Sequence, residues 1–181
     1  MKAVIITDSE RQPGKRLHDD LLSCLKDYEI EEFKVGRDEL ACCTGCFGCW
    51  IKTPGECVIR DGIEAINRAV MGSDVVFFLT PVVFGQFSAN IKTVVDRGLP
   101  NMLPFFITRP DGSTMHPARY VHYPQYVMLG FGDDVSAEDA LLFIDITKKH
   151  RRGAEALVYD PNTCLEDQLT NVSLRKCEGL L

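Results

Sequence analysis

The sequence predicts a three-layer α/β sandwich built on a parallel five-stranded sheet of order 2-1-3-4-5. Short apolar runs alternate with helical stripes along the whole chain, the pattern of strands joined by crossover helices. One run, Asp74 to Leu79, is almost wholly apolar, as a central parallel strand covered on both faces must be. Right-handed crossovers then wind the strands outward from the first in both directions. At 181 residues and 45% hydrophobic content, the chain is long enough for one such domain to bury roughly 70% of its unfolded surface without disulfides.

Ala3 to Ile6 supplies the first strand. Leu17, Leu21, Cys24 and Tyr28 recur every three or four residues, so a first helix lays that stripe on the sheet. Ile30, Phe33 and Val35 mark a more polar second strand at an edge. Asp61 and Glu64 read as a capping box for a second helix whose buried face is Ile63, Ile66 and Val70, ended by Gly72. After the central strand, Ser88 caps a third helix running through Arg97, with Gly98 and Pro100 closing it. Tyr126 to Leu129 is the fourth strand. Ser136, with Glu138 or Asp139, opens a fourth helix, and Lys148, Lys149, His150, Arg151 and Arg152 offset the negative end of its dipole. Ala156 to Tyr159 closes the sheet. Residues 1–160 therefore read as the domain and 161–181 as a C-terminal extension. Between Leu99 and Pro124 lie five prolines among Phe105, Phe106, His116, Tyr120, His122 and Tyr123. That segment, 99–124, is too long and aromatic for a plain connector and reads as a lid or interface insertion.

Bulk properties exclude several classes of function. A formal charge of -6 and a pI near 5.2 argue against nucleic acid or anionic membrane as a partner, since both demand a cationic surface. The longest apolar run is far short of a membrane span. Met1 to Asp8 lacks the long apolar stretch and small-residue cleavage site of a secretory leader, so a cytoplasmic location is expected. The eight cysteines then belong to a reducing compartment, where clustered thiols mean metal or catalysis more often than bridges.

Two places carry candidate chemistry. Ligands of a doubly wound sheet bind beyond the carboxyl ends of its strands, at the switch between the first and third, where Thr7 to Arg16, Thr80 to Phe87 and Gly130 to Asp134 should meet. The second place is the loop after the second strand, with Cys43, Cys46, Cys49 and Cys57 inside fifteen residues. Gaps of two residues let thiolates converge, and soft sulfur suits an iron-sulfur cluster or zinc. A redox disulfide or plain reduced thiols packed under Phe47 and Trp50 are the other readings. Cys42 and Cys24 read as structural. Lys92, Asp96 and Arg97 read as an exposed or interfacial ion-pair group, with Arg97 as a ligand contact the lesser reading, and His116 and His122 as interface hydrogen-bonders or, less often, proton donors to a bound ligand.

Thr80-Pro81-Val82-Val83-Phe84-Gly85, continuing through Ser88-Ala89-Asn90-Ile91-Lys92 to Asp96-Arg97, together with Cys43-Thr44-Gly45-Cys46-Phe47-Gly48-Cys49, Pro54-Gly55-Glu56-Cys57 and Asp61, resembles the NAD(P)H-dependent FMN reductases and their relatives, the iron-sulfur flavoproteins. The resemblance runs from the first strand through the fourth. It implies a flavodoxin-like fold that binds FMN, assembles as a homodimer or homotetramer, and moves electrons from a reduced nicotinamide dinucleotide, NAD(P)H, to a small-molecule or protein acceptor. Carried over, Pro81, Val82, Val83, Phe84 and Gly85 border the flavin ring, and Gly130, Phe131, Gly132 and Asp133 flank it. The four cysteines match the run that holds a 4Fe-4S cluster in iron-sulfur flavoproteins, although many FMN reductases keep such cysteines without a cluster. The first loop departs from the family. Relatives place Ser-Pro-Arg, a glycine and a small hydroxyl residue there, whereas this chain reads Asp8-Ser9-Glu10-Arg11-Gln12-Pro13-Gly14-Lys15-Arg16. Ser9, Arg11, Lys15 and Arg16 remain to hold the phosphate, against repulsion from Asp8 and Glu10. Val83 stands where relatives often have tyrosine. Two rival readings follow from these departures: a non-enzymatic module on the same fold that has lost FMN, and a cysteine-metal protein without flavin.

Overall fold

The computed structural model describes residues 1–8, 12–37, 39–150, 153–170 and 172. Its sheet contains β1 (Lys2–Thr7), β2 (Glu29–Lys34), β3 (Val75–Pro81), β6 (Gln125–Phe131) and β7 (Glu155–Val158), in the order β2-β1-β3-β6-β7 with every pair parallel. This is the expected 2-1-3-4-5 order, because the two remaining strands, β4 (Ile107–Thr108) and β5 (Thr114–Met115), form a separate antiparallel hairpin inside the 99–124 segment. Register follows burial: Ile5 sits beside Phe77, and Phe77 beside Val127, all fully buried. The edge strand β2 is half-exposed along its length, which is why its composition is polar.

Alternating side chains of the central strands feed two cores. On one face α1 (Gly14–Cys24) and α6 (Leu165–Thr170) bury Leu17, Leu21, Leu165 and Leu169 against Ile5, Phe77 and Leu129. On the other, α3 (Ile63–Met71), α4 (Ala89–Asp96) and α5 (Ala137–His150) bury Ile66, Ile91 and Phe143 against Ile6, Phe78 and Met128. The short α2 (Gly48–Ile51) lies within the cysteine loop.

Helix starts test the capping expectations individually. Ser88 Oγ accepts the Ile91 N–H at 3.2 Å, as its position implied. Ser136 Oγ accepts the Asp139 N–H at 3.0 Å ahead of α5. The capping box at Asp61 and Glu64 does not form. Gly62, with φ of +96°, is the N-cap of α3, and Asp61 Oδ1 lies 3.5 Å from the Ile63 N–H. Asp61 Oδ2 instead meets the guanidinium of Arg97 and the Ala41 N–H. A buried cation makes a stronger charge-assisted bond to a carboxylate than a neutral amide does, so the ion pair takes the group that the sequence assigns to the cap. The basic residues Arg151 and Arg152 of the fourth predicted helix, and Cys177 of the tail, lie outside the described residues.

Candidate functional site

The loops after β1, β3 and β6 leave the same end of the sheet and are tied together there. The Asp8 N–H donates to Leu79 O at 2.9 Å, the Val82 N–H donates to Phe131 O at 2.8 Å, and Asn90 Nδ2 donates to the Asp8 carboxylate at 3.1 Å. Close approach between the loops depends on glycine. A Cβ on Gly14 would fall 2.4 Å from the Phe131 ring, and one on Gly130 would fall 2.7 Å from Val82 Cγ2. The absent side chains let the first turn of α1, the β3 loop and the end of β6 pack together at the end of the sheet where the sequence predicts a ligand crevice.

Each loop contributes different chemistry. Pro13, preceded by a cis peptide bond, occupies the N-cap of α1, no acidic residue stands in the first turn, and Gln12 Oε1 accepts the Arg16 N–H there at 3.2 Å. The positive end of the helix dipole lies at this turn, with Lys15 and Arg16 exposed beside it and Arg16 Nε 3.9 Å from the Asp20 carboxylate. After β3, Thr80 is buried and its Oγ1 accepts the Ser88 N–H at 2.9 Å. Val83 and Gln86 exchange two backbone hydrogen bonds around Phe84 and Gly85, whose φ values are +50° and +69°. Such a two-residue turn needs left-handed backbone at both central positions, and Phe84 adopts it without being glycine. Its ring is 89% exposed at the tip. Pro81 and Val82 are half-buried, Val83 is exposed, and Gly85 is buried against Leu142. From β6, Gly130 and Phe131 are buried, Gly132 is half-buried and Asp133 is exposed. Of the predicted phosphate contacts, Ser9 and Arg11 lie outside the described residues.

The cysteine loop forms a second cavity. Cys43, Cys46, Cys49 and Cys57 all line one small, partly open cavity of about 40 Å³ walled by Trp50 and Leu99. The chain reverses at Gly45 and Phe47, with φ of +64° and +55°, and α2 then begins at Gly48, where a Cβ would meet Val58 at 2.5 Å. The Trp50 indole donates to Met102 O at 3.0 Å and anchors α2 to the 99–124 segment. The Gly48 N–H and the Thr44 hydroxyl hold the exposed Cys46 thiol below its ordinary pKa. Burial, reinforced by neighbouring Cys57, pushes Cys49 up. Among the described residues no three such side chains gather tightly enough around a single metal ion; the sulfurs ring a cavity.

Arg97 departs from its expected exposed ion-pair role. Lys92 and Asp96 do pair at the surface, at 2.5 Å, but Arg97 is 1% exposed and turned inward. It pairs with Asp61, and its Nη atoms donate to Ala41 O, Ile59 O and Cys57 Sγ at 3.0, 3.0 and 3.3 Å. Burial alone would raise the Asp61 carboxyl, but the Arg97 and Ala41 donors overcome it and hold the group below the usual carboxylate value. Helical spacing puts Arg97 near Lys92 without revealing that the chain turns at this residue, so the sequence carries no local signal for the inward position.

The 99–124 segment covers one wall of the cysteine loop. His116 Nδ1 donates to Phe105 O at 2.9 Å, a bond within its own segment, and its ring lies 4.8 Å from Trp50 and 4.7 Å from Phe106. Arg119 Nε donates to Pro100 O at 2.8 Å, and the Tyr123 hydroxyl donates to Asn101 O. Phe105, Phe106 and Val121 remain 65%, 71% and 91% exposed.

Comparison with known proteins matches this arrangement to a family. A family model described as NADPH-dependent FMN reductase matches residues 1–106, more than half of the chain. An iron-sulfur flavoprotein of Archaeoglobus fulgidus is 38% identical over 104 residues, covering 55% of this chain and 46% of the relative. Another, from Methanocaldococcus jannaschii, is 31% identical over 119 residues, covering 64% of this chain and 61% of the relative. The matches thus span about half of these relatives' length. Among solved structures, an azoreductase from Bacillus anthracis superposes with a TM-score of 0.63 at 14% identity, covering 95% of this chain and 92% of that one. An NAD(P)H:quinone oxidoreductase from Methanothermobacter marburgensis gives 0.62 at 12% identity, covering 94% of each. At such identities the structures establish the shared flavodoxin-like fold.

Proposed function

The chain belongs to the NADPH-dependent FMN reductase family, and we propose from that membership that it is an FMN-dependent oxidoreductase taking electrons from NAD(P)H and delivering them to a small-molecule or protein acceptor. The observation that carries this reading is that the matched stretch includes β1, β3 and their loops, the parts that build the crevice. FMN, when bound, supplies the ring that accepts the hydride and carries the electrons onward. The chain's own part is to hold, orient and dry that ring. The positive end of α1 with Lys15 and Arg16 suits a phosphate dianion, the charge complement of a helix N-terminus. Pro81, Val82, Val83 and Phe84 offer an apolar wall that excludes water, Gly85 completes the tight turn behind it, and Gly130, Phe131, Gly132 and Asp133 flank the ring from the loop after β6. Gly14 and Gly130, packed against the Phe131 ring and Val82, bring the three loops together at the end of the sheet where the cofactor would sit.

The donor set supports a 4Fe-4S cluster in the cysteine cavity. Four soft sulfurs line it, the Cys46 thiol is held below its ordinary pKa while burial pushes Cys49 up, and binding iron would draw the proton from each ligand. A cluster there would split electron pairs into single steps for the acceptor. The exposed Phe105, Phe106 and Val121 of the 99–124 segment support a contact between copies in a homodimer or homotetramer, and no helix among the described residues is long and apolar enough to cross a membrane. Protein purified without oxygen, with its visible spectrum recorded and its FMN, iron, sulfide and zinc measured, tests the reading. Paired flavin bands with bound FMN are expected, together with a broad brown absorption and iron. A colourless protein that rejects added FMN overturns the flavin reading in favour of a non-enzymatic module. Metal without flavin points to a cysteine-metal protein.

A further inference from the structure

We propose that Arg97 is the positioning residue of the cysteine site, clamping both limbs of the loop and donating directly to the sulfur of Cys57; this rests on the iron-sulfur reading above. The guanidinium is fully buried, yet none of its described hydrogen bonds serves the flavin crevice. It spans the mouth of the loop. Ala41 O stands two residues before Cys43, Ile59 O two residues after Cys57, and Cys57 Sγ lies between them at 3.3 Å from Nη2. Asp61 neutralises the charge from the chain just beyond.

The clamp is itself fixed from behind. Arg97 is the C-cap of α4, with its N–H bonded to Thr93 O at 3.0 Å. Its carbonyl accepts from Asn67 Nδ2 at 3.0 Å, and Asn67 Oδ1 accepts from Asn101 Nδ2 at 3.1 Å, both asparagines being buried. A planar fork with several donors in fixed directions can serve two carbonyls, a carboxylate and a sulfur at once; an ammonium on a flexible stem cannot. The buried Nε has no partner among the described residues, so the guanidinium is held by its Nη atoms alone.

Two consequences follow for a bound cluster. Losing the clamp frees the segment carrying Cys57, so metal retention weakens. Hydrogen bonds and positive charge at a ligand sulfur stabilise the more negative, reduced cluster and raise its potential, so weakening them lowers the midpoint at which the cluster accepts one electron.

The test compares wild type with R97M and R97K after anaerobic loading with ferric iron, sulfide and dithiothreitol, the thiol reducing half of the iron. Bound iron is followed during chelator challenge, the midpoint potential by dye-mediated titration with dithionite as the reductant, and FMN content and circular dichroism serve as controls of the fold. In R97M, roughly 10- to 100-fold weaker iron retention is expected, the range seen when residues that orient metal ligands are replaced, with FMN content unchanged. In R97K, iron is retained better than in R97M, but the midpoint lies below that of wild type. Iron retention and potential equal to wild type in both variants overturn the proposal, and if R97M does not fold, R97K alone decides it. If wild type itself takes up no iron, the cluster reading fails separately. Hydrogen exchange of residues 41–61 in the metal-free protein then decides whether Arg97 organises the cysteines: faster exchange in R97K supports the clamp, and unchanged exchange overturns it.

Discussion

Replacing Gly130 with alanine places a methyl group near the carboxyl end of β6, where three elements already meet. The new Cβ would stand 2.7 Å from Val82 Cγ2 and 3.0 Å from two atoms of the Phe143 ring. Neither neighbour yields easily. Phe143 is fully buried and held edge-on to Phe87 at 5.7 Å. Val82 is pinned through its N–H to Phe131 O. The strand cannot retreat either, because Gly130 is paired with Thr80 on one side and Val158 on the other. Overpacking of this kind costs about 1–3 kcal/mol, offset by roughly 0.5–1 kcal/mol for replacing glycine with alanine inside a strand. A net loss of about 1.5 kcal/mol corresponds to a Tm decrease of about 3–6 °C for a domain of this size. Thermal unfolding followed by circular dichroism reads the loss, and quenching of flavin fluorescence reads FMN affinity, expected to weaken as Val82 is displaced toward the crevice. V82A removes the nearest methyl group, so the double variant should recover part of the loss, with a coupling above about 0.5 kcal/mol. A G130A protein with wild-type Tm and FMN affinity would refute the reasoning, as would a V82A change that merely adds to the damage.

Three further outcomes are expected. S88A removes the side-chain acceptor of the Ile91 N–H at the start of α4 and should cost about 1 kcal/mol, measured by chemical denaturation; unchanged stability would contradict the cap. Burial first, and then the bond to Asp20, pushes the Tyr159 hydroxyl from 10.0 up to about 12. The folded protein therefore keeps a proton that the unfolded chain has lost, and stability falls as pH rises from 10 to about 12. Y159F should flatten that fall, and an unaltered slope would rule Tyr159 out as its source. C46S should lose iron while retaining FMN, whereas full iron content would remove Cys46 from the ligand set.

The sheet was readable because burial on both faces leaves a compositional mark. Val75 to Leu79 is continuously apolar and central, and β2 is polar and at the edge. Ser88 was readable because a cap acts within four residues. What escaped depends on contacts between distant segments. The α2 turn needs Phe47 in a left-handed conformation and Gly48 against Val58, which no local pattern announces. Asp61 carries the same local signature whether it caps α3 or pairs with Arg97, and only the fold brings the guanidinium to it from 36 residues away. The candidate site divides the same way. The glycine-bearing loops and the cysteine spacing are visible in the chain, but their packing around Phe131 and Arg97 is tertiary. The 107–115 hairpin escaped because its two-residue strands are too short to show alternation.

Hydride transfer from NADPH to FMN held in the crevice is decided by anaerobic titration of the flavin-loaded protein with NADPH, followed by absorbance. The yellow bands should bleach in proportion to NADPH added and return when oxygen is admitted. Bands that persist under excess NADPH yet bleach with dithionite would show a bound flavin that this protein does not reduce with nicotinamide, and would contradict the proposed reaction.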